Sequence, residues 1–229
     1  MNILIIGSGG REHALGKKIA NKDRKIYFAP GNGGTSTIGE NINIGVDDIE
    51  KLVDFAKNNS IDYTIVGPEL PLCQGIVDEF EKNNLKIFGV NKSASKFESS
   101  KSFTKEFLKK YDIKTADYLK TNDKDKASSY AKDLLEKNGK VVLKRDGLAS
   151  GKGVYIIEDF DQLNQTIEDI FTKDNEIIIE EYLDGFEMSL LCLTDSETII
   201  PLPTSKDHKR IYEKDMGSNT GGMGTYSPN

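Results

Sequence analysis

Four short, unbroken apolar runs punctuate the first ninety residues: NILII (2–6), KIYFA (25–29), DYTIV (62–66) and LKIFG (85–89). A strand with one face in water alternates apolar and polar residues, and these do not. Continuous apolar strands are covered on both faces, which in soluble chains means parallel strands joined by crossover helices. The intervening segments supply those helices. One is expected near 11–21 and another near 72–83, and DDIEKLVDFAKNN (47–59) sets Ile49, Leu52, Val53 and Ala56 at helical spacing. NINIG (41–45) offers a further short strand. The fold class expected is α/β, opening with a doubly wound parallel domain over 1–92, in which ligands sit beyond the carboxyl ends of the strands.

From residue 93 the pattern changes. SASKFESSKSFTKEFLKKYDI places Phe97, Thr104, Phe107, Leu108 and Tyr111 on one helical face. A solvated stretch, TNDKDKAS, leads to a helix at 127–138, strands at 140–144 and 154–158, a helix near 160–172 and a strand at 176–183. This is a small α+β unit over 93–186 with its own sheet. Over 187–229, EMSLLCLTD and TIIPLP read as antiparallel strands turning at Asp195-Ser196. The final stretch, 204–229, has no periodicity and reads as a long loop. A two-stranded ribbon followed only by a loop is marginal alone, so the third piece reads as an incomplete antiparallel C-terminal lobe and the chain as a fragment.

Charge and cysteine usage narrow the function classes. A net charge of −6 gives no general attraction to nucleic acid or anionic membrane, so an anionic ligand must be held by local positive groups. No run approaches the roughly 18 apolar residues of a membrane span. Cys73 and Cys192 show no metal-ligand spacing and read as core thiols of a cytoplasmic protein.

IIGSGGREHAL (5–15) is a strand, a glycine turn and a helix start, where backbone N–H groups and the helix dipole receive phosphate. Gly7 and Gly9 fit the first glycines of the dinucleotide fingerprint, but its sixth position is Glu12. The second strand ends in Ala29-Pro30, with no acid for a ribose hydroxyl. That argues against a nicotinamide site and leaves a small phosphorylated ligand, or a purely structural turn. APGNGGT (29–35) and VGPELPL (66–72) follow strands at the same sheet edge, so the three loops read as one ligand crevice.

KRDGLASGKGV (144–154) is a second glycine loop. A Walker P-loop has four residues between its glycines and then Lys-Ser/Thr. Here Gly147 and Gly151 enclose three, Lys152 is followed by Gly153, and the flanks read as strand–loop–strand. A hairpin lid fits better, its glycines letting backbone approach phosphates while Lys144 and Lys152 supply charge; a solvated turn with incidental lysines is the alternative. Glu180, Glu181 and Glu187 sit where one unit gives way to the next, as ribose acceptors or as solvated charges. SKDHKR (205–210) gathers Lys206, His208, Lys209 and Arg210 beside Asp207, an anion-binding run or a solvated loop.

Taken in order, GSGGREHAL, PGNGG, GPELPL, KRDGLASGKGV, EEYLDGFEMS, KDHKR and DMGSNTGGMGTYSP resemble the phosphoribosylamine–glycine ligase (glycinamide ribonucleotide synthetase) family of the ATP-grasp superfamily, along the whole chain. The resemblance implies a pre-ATP-grasp domain (1–92), an ATP-grasp N-lobe and lid (93–186) and the start of the C-lobe (187–229). It implies de novo purine chemistry with ATP, glycine and 5-phosphoribosylamine. The glycine carboxylate attacks the γ-phosphate, and the amine then displaces phosphate from glycyl phosphate to give glycinamide ribonucleotide. It puts Gly9, Gly10, Arg11, Glu12, His13, Gly31, Asn32, Gly67, Pro68 and Glu69 at the phosphoribosylamine crevice. Lys101, Lys144, Gly147, Ser150, Gly151, Lys152 and Gly153 would meet the ATP phosphates; Glu180, Glu181, Tyr182 and Leu183 would form the adenine hinge, and Glu187 would hold ribose. Asp207, His208 and Arg210 would act at the reacting centre, with Lys209, Asn219, Thr220, Gly221 and Gly222 on the acceptor side.

Phosphoryl transfer is carried by positioning and charge neutralisation, so the absence of a Ser/His/Asp set is expected. The family's Mg2+ (or Mn2+) ligands lie in a later motif, so none is expected within 1–229, and the chain as it stands is expected to be inactive or weakly active. The remaining expectations are a monomer at full length, a cytoplasmic setting, small-molecule partners only, and a mobile 147–153 without nucleotide. Another ATP-grasp ligase or carboxylase, or a non-catalytic binding module, are the alternatives; KDHKR with NTGGMG favours the glycine ligase.

Overall fold

A computed structural model describes residues 1–147 and 153–228, apart from the side chains of Asp215, Ser218 and Asn219. The chain divides into two units, Met1–Ser99 and Ser100–Asn229.

In the first unit the elements run β1 (Asn2–Gly7), α1 (Gly10–Ile19), β2 (Lys25–Pro30), a 3-10 turn (Thr35–Thr37), β3 (Glu40–Asn41), α2 (Ile49–Asn58), β4 (Tyr63–Val66), α3 (Glu69–Gln74), α4 (Ile76–Lys82), β5 (Ile87–Phe88) and α5 (Lys96–Ser99). The strands form a parallel sheet in the order β3-β2-β1-β4-β5. Alternate residues of β1 feed opposite layers. Leu4 and Ile6 pack with Leu52, Val53 and Ala56 of α2 and Ile76, Val77 and Phe80 of α4, while Ile3 and Ile5 join Ile26 and Phe28 against Ile19 and Ile38. Both faces of the central strand are therefore dry, as its unbroken apolar sequence requires. Of NINIG only Asn41 is strand, together with Glu40 before it, while Ile42 and Ile44 pack on the core instead. The chain builds β2 and β3 on one side of β1 and then crosses to β4, so the switch in strand order lies between β1 and β4.

The second unit contains α6 (Lys101–Lys110), β6 (Tyr118–Thr121), α7 (Lys124–Asn138), β7 (Val141–Lys144), β8 (Val154–Ile157), α8 (Phe160–Lys173), β9 (Ile177–Glu181), β10 (Cys192–Thr194), β11 (Ile199–Pro201), β12 (Lys206–Tyr212) and β13 (Met216–Tyr226). An antiparallel sheet in the order β6-β9-β7-β8 packs Val141, Leu143, Ile177 and Ile179 against Ala127, Ala131 and Leu135 of α7 and Leu163, Ile167 and Ile170 of α8. Both helices begin at aspartate N-caps, Asp123 and Asp159, whose side chains accept first-turn N–H groups. β10 pairs with β11 through the turn at Asp195 and Ser196, as the sequence predicts.

Three features differ from the sequence reading. The helix expected from residue 93 breaks at Ser100, which caps a fresh helix by accepting the Phe103 N–H. That helix, α6, does not bury the expected apolar stripe: its buried residues are Ser102 and Lys105, while Tyr111 is exposed. Its two buried side chains instead make polar contacts, Ser102 with Asp146 and Lys105 with Glu180. The final segment is not a loop. β12 and β13 pair antiparallel, Lys206 opposite Tyr226 and Tyr212 opposite Met216, with register shifts around Arg210. Backbone pairing runs the length of this ribbon and most of its described side chains are exposed, so no apolar alternation marks it in sequence.

Candidate functional site

In the first unit the three predicted loops all leave carboxyl ends of strands. Gly9 caps α1, with Gly10 and Arg11 exposed beside it and His13 half-buried. Glu12 behaves differently. It is 4% exposed, and its carboxylate accepts the Gly9 N–H at 2.6 Å, the reach-back contact of a capping box. Its side chain occupies the space where Cβ atoms would stand on Gly7, Gly9 and Gly67. The glycine turn after β1 and the loop after β4 thus close around one carboxylate at the switch point of the sheet.

The loop after β2 is organised by Asn32. Its side-chain oxygen accepts the N–H groups of Gly34 and Thr35, and its amide donates to Ser8 O at 2.8 Å, tying this loop to the glycine turn. Asn41 donates to Asn32 O, and the buried Thr35 hydroxyl lies 2.7 Å from Asn41 Oδ1. Nothing in the sequence marks Thr35 and Asn41 for this role; each is an ordinary polar residue until the loop closes. Gly67, Pro68 and Glu69 start α3 and are half-buried.

In the second unit a buried charged cluster lies where β7 and β9 pair. Glu180 on β9 is 4% exposed, and one of its oxygens, Oε2, meets Lys144 Nζ of β7 at 2.9 Å and Lys105 Nζ of α6 at 3.0 Å. Lys105 also donates to Thr115 Oγ1 (2.7 Å) and Ala116 O (3.2 Å). Two ammonium groups on one carboxylate leave the cluster one positive charge in surplus. The other oxygen, Glu180 Oε1, is buried without a hydrogen-bond partner among the described residues. A buried unpaired acceptor costs about 1–3 kcal/mol. The sequence reading missed Lys105, which sits among Lys101, Lys109 and Lys110 with nothing local to separate it from solvated lysines.

Lys101 points elsewhere: its ammonium donates to Gly147 O at 2.8 Å. Beyond β9, Glu181 accepts the Asp117 N–H, Tyr182 lies under the Lys140 ammonium and Leu183 is exposed. Ser150, Gly151 and Lys152 lie outside the described residues, as does most of the segment expected to be mobile; Gly153 N-terminal to β8 has its carbonyl bonded to Arg145 N.

The β12–β13 ribbon gathers the third predicted set. Asp207 accepts from Thr225 Oγ1 at 3.3 Å, Arg210 donates to Gly217 O at 2.5 Å, and Thr220 Oγ1 donates to Lys209 O at 2.8 Å. His208 stands against the Tyr226 ring, Asn219 lies opposite Arg210 in register, and Gly222 faces Asp207. Lys209 and Glu187 form an ion pair, so the structure joins one expected ribose ligand to one expected acceptor-side residue. Among the described residues no group of three His, Cys, Asp or Glu side chains could hold a metal ion. No described helix is long and apolar enough to cross a membrane.

Sequence profiles described as phosphoribosylglycinamide synthetase, N domain, and phosphoribosylglycinamide synthetase, ATP-grasp (A) domain, match residues 1–98 and 99–229. The phosphoribosylamine–glycine ligase of Clostridium acetobutylicum is 48% identical over 237 residues, covering 100% of this chain and 56% of its own length. That of Escherichia coli K12 is 45% identical, covering 100% of this chain and 55% of its own length. A crystal structure of phosphoribosylamine–glycine ligase from Thermotoga maritima superposes with a TM-score of 0.76 at 30% identity, over 100% of this chain and 56% of that one. N5-carboxyaminoimidazole synthetase from Staphylococcus aureus, complexed with ADP, shares the fold at TM-score 0.70 and 21% identity, over 91% of this chain and 55% of its own.

Proposed function

The chain belongs to the phosphoribosylglycinamide synthetase family, and from that footing we propose that residues 1–229 supply the ribose-phosphate and nucleotide sites of an ATP-dependent carbon–nitrogen ligase. The reaction is the joining of glycine to 5-phosphoribosylamine through glycyl phosphate, in purine biosynthesis in the cytoplasm, by a protein that is monomeric at full length. The chain spans about half the length of the curated relatives it matches.

The observation that carries the nucleotide assignment is the Lys105–Glu180–Lys144 cluster. Its surplus positive charge suits a polyphosphate, and its unpaired buried oxygen suits a donor such as the exocyclic amine of adenine. Lys144 and Lys105 are the phosphate-neutralising cations, and the backbone of Glu181, Tyr182 and Leu183 after β9 receives the base. Gly147 and the glycines after it approach the phosphates. Gly9, Gly10, Arg11, His13, Gly31, Asn32, Gly67, Pro68 and Glu69 surround the ribose phosphate, with Glu12 beneath them as a structural brace. Asp207, His208, Lys209, Arg210, Asn219, Thr220, Gly221 and Gly222 line the acceptor side, and Glu187 exchanges its Lys209 partner for ribose.

The reaction in this family uses a divalent cation. Among the described residues no group of three His, Cys, Asp or Glu side chains could hold one. What this chain does is bind and orient: lysines neutralise phosphate oxygens so that a carboxylate can approach, and the glycine turn holds the amine's ribose phosphate.

Titration calorimetry of this chain with ADP and, separately, with ribose 5-phosphate tests the reading. Saturable binding of both is expected, with ADP binding abolished in Lys105→Met. Absence of ADP binding, or its survival in that variant, overturns the nucleotide assignment. Ribose 5-phosphate binding alone marks a binding module.

A further inference from the structure

Asp146 follows Lys144 by two residues and immediately precedes Gly147, at the root of the glycine loop. No feature of its local sequence gives it a role. Its carboxylate nevertheless collects donors from 44 and 45 residues away: Lys101 N–H at 2.7 Å, Ser102 hydroxyl at 2.6 Å and, more weakly, Ser102 N–H at 3.4 Å. The Ser100 hydroxyl lies 3.3 Å away, and Gly147 N–H donates at 2.9 Å.

Lys101 and Ser102 are the first two residues of α6, whose N–H groups have no partner within the helix. Ser100 caps the third residue, Phe103, at 3.1 Å. The start of α6 is thus completed by a carboxylate from a distant loop, in the place where the helix dipole favours negative charge. The stitch is reciprocal, because the Lys101 ammonium donates to Gly147 O at 2.8 Å. One turn along α6, Lys105 reaches Glu180, which also holds Lys144. The contacts close a ring: Asp146 to α6, α6 through Lys105 to Glu180, Glu180 to Lys144, and two residues of backbone to Asp146.

We propose that Asp146 is a positioning residue of the nucleotide site: by clamping the root of the glycine loop to the start of α6, it fixes the spacing between the Lys105 and Lys144 ammonium groups. The inference rests on the nucleotide reading given above. It also gives Lys101 a task, as the back half of the clamp in place of a direct phosphate ligand. Without the carboxylate, the first two N–H groups of α6 and that of Gly147 lose their acceptor together, and the two lysines are linked to each other only through Glu180.

The test compares the intact chain with Asp146→Ala, Asp146→Asn and Ser100→Ala. ADP affinity is measured by calorimetry, and amide hydrogen exchange is followed at Lys101, Ser102 and Gly147. Asp146→Ala is expected to weaken ADP binding at least tenfold and to speed exchange at all three amides together. Asp146→Asn keeps one acceptor oxygen without the charge, serves as the readout should the alanine variant not fold, and gives an intermediate loss. Ser100→Ala removes the helix's own cap and, of the clamp, only the long 3.3 Å hydroxyl contact, keeping the Lys101, Ser102 and Gly147 donors, so its loss of ADP affinity is expected to be clearly smaller than that of Asp146→Ala. Equal weakening by Ser100→Ala and Asp146→Ala reduces Asp146 to a helix cap and overturns the proposal, as does unchanged exchange at Gly147 in Asp146→Ala. Tight wild-type ADP binding that Asp146→Ala preserves removes this inference alone. A wild-type chain that binds no ADP removes the nucleotide reading and this inference with it.

Discussion

Gly67→Ala is the sharpest probe of how the first unit holds its loops. A Cβ built at Gly67 would stand 2.5 Å from Glu12 Cδ and 2.7 Å from Cγ, well inside the roughly 3.5 Å at which carbon atoms meet comfortably. The overlap is about 1 Å. Glu12 is buried and pinned by the Gly9 N–H, so it cannot swing away without forfeiting a charge-assisted hydrogen bond worth about 1.5–3 kcal/mol. Backbone movement at Gly67 would instead strain its own hydrogen bond to Ile6 O, 2.9 Å long. Overpacking of this kind costs about 1–3 kcal/mol, and with part of the lost hydrogen bond the expected destabilisation is about 2–4 kcal/mol. Gly67 is not among the glycines with positive φ, so the cost is packing and not backbone strain. Glu12→Ala alone should cost about 2 kcal/mol, chiefly through the orphaned Gly9 N–H. The double variant then decides the matter. With the glutamate gone the new methyl has room, so Gly67→Ala/Glu12→Ala should be nearly as stable as Glu12→Ala, a coupling equal to the Gly67→Ala cost, about 2–4 kcal/mol. Urea unfolding followed by far-UV circular dichroism measures all four proteins. A Gly67→Ala cost below about 0.5 kcal/mol, or additivity within that margin, would refute the reasoning.

Two further expectations concern the second unit. Lys105→Met removes one partner of a buried ion pair and strands Thr115 Oγ1 and Ala116 O, so it should cost about 3 kcal/mol in urea unfolding. Lys144→Met should cost less, since the Lys144 side chain is 25% exposed against 8% for Lys105; the reverse order would mean that burial does not set the strength of the cluster. Burial pushes the Asp146 carboxyl up, but the Ser102 hydroxyl and the N–H groups of Gly147, Ser102 and Lys101 outweigh it and hold it below the usual aspartate value. A carboxyl depressed by folding contributes stability above its unfolded pKa, about 3.9, and loses it as pH falls through the folded value. Below about pH 4 the wild type should therefore lose stability more steeply than Asp146→Asn, measured as the urea midpoint against pH; parallel curves would exclude the carboxylate as the source.

The division between what the sequence displays and what it conceals follows from how each element is stabilised. β1 is legible because Leu4, Ile5 and Ile6 are all fully buried, so its apolar run is the direct image of two covered faces. The αβ order of both units follows from the same rule, through stripes such as Leu52, Val53 and Ala56 or Leu163, Ile167 and Ile170. β12 and β13 are illegible because their pairing is a backbone affair: KDHKRIY and MGSNTGGMGTY carry no alternation, and glycine disfavours strands. The orientation of α6 is illegible for a stronger reason. Its Phe107 and Tyr111 advertise an apolar face, yet the helix turns Ser102 and Lys105 inward, because their partners Asp146 and Glu180 lie elsewhere in the chain. The glycine loops are visible from spacing alone, while the groups that shape them are residues whose burial contradicts their type. Glu12, Lys105 and Glu180 each incur a desolvation cost that packing alone would not select, answered for Glu12 by the nearby Gly9 N–H and for Lys105 and Glu180 by a contact across the fold. Local preference and tertiary structure part company at these positions, and it is there that binding chemistry is expected to concentrate.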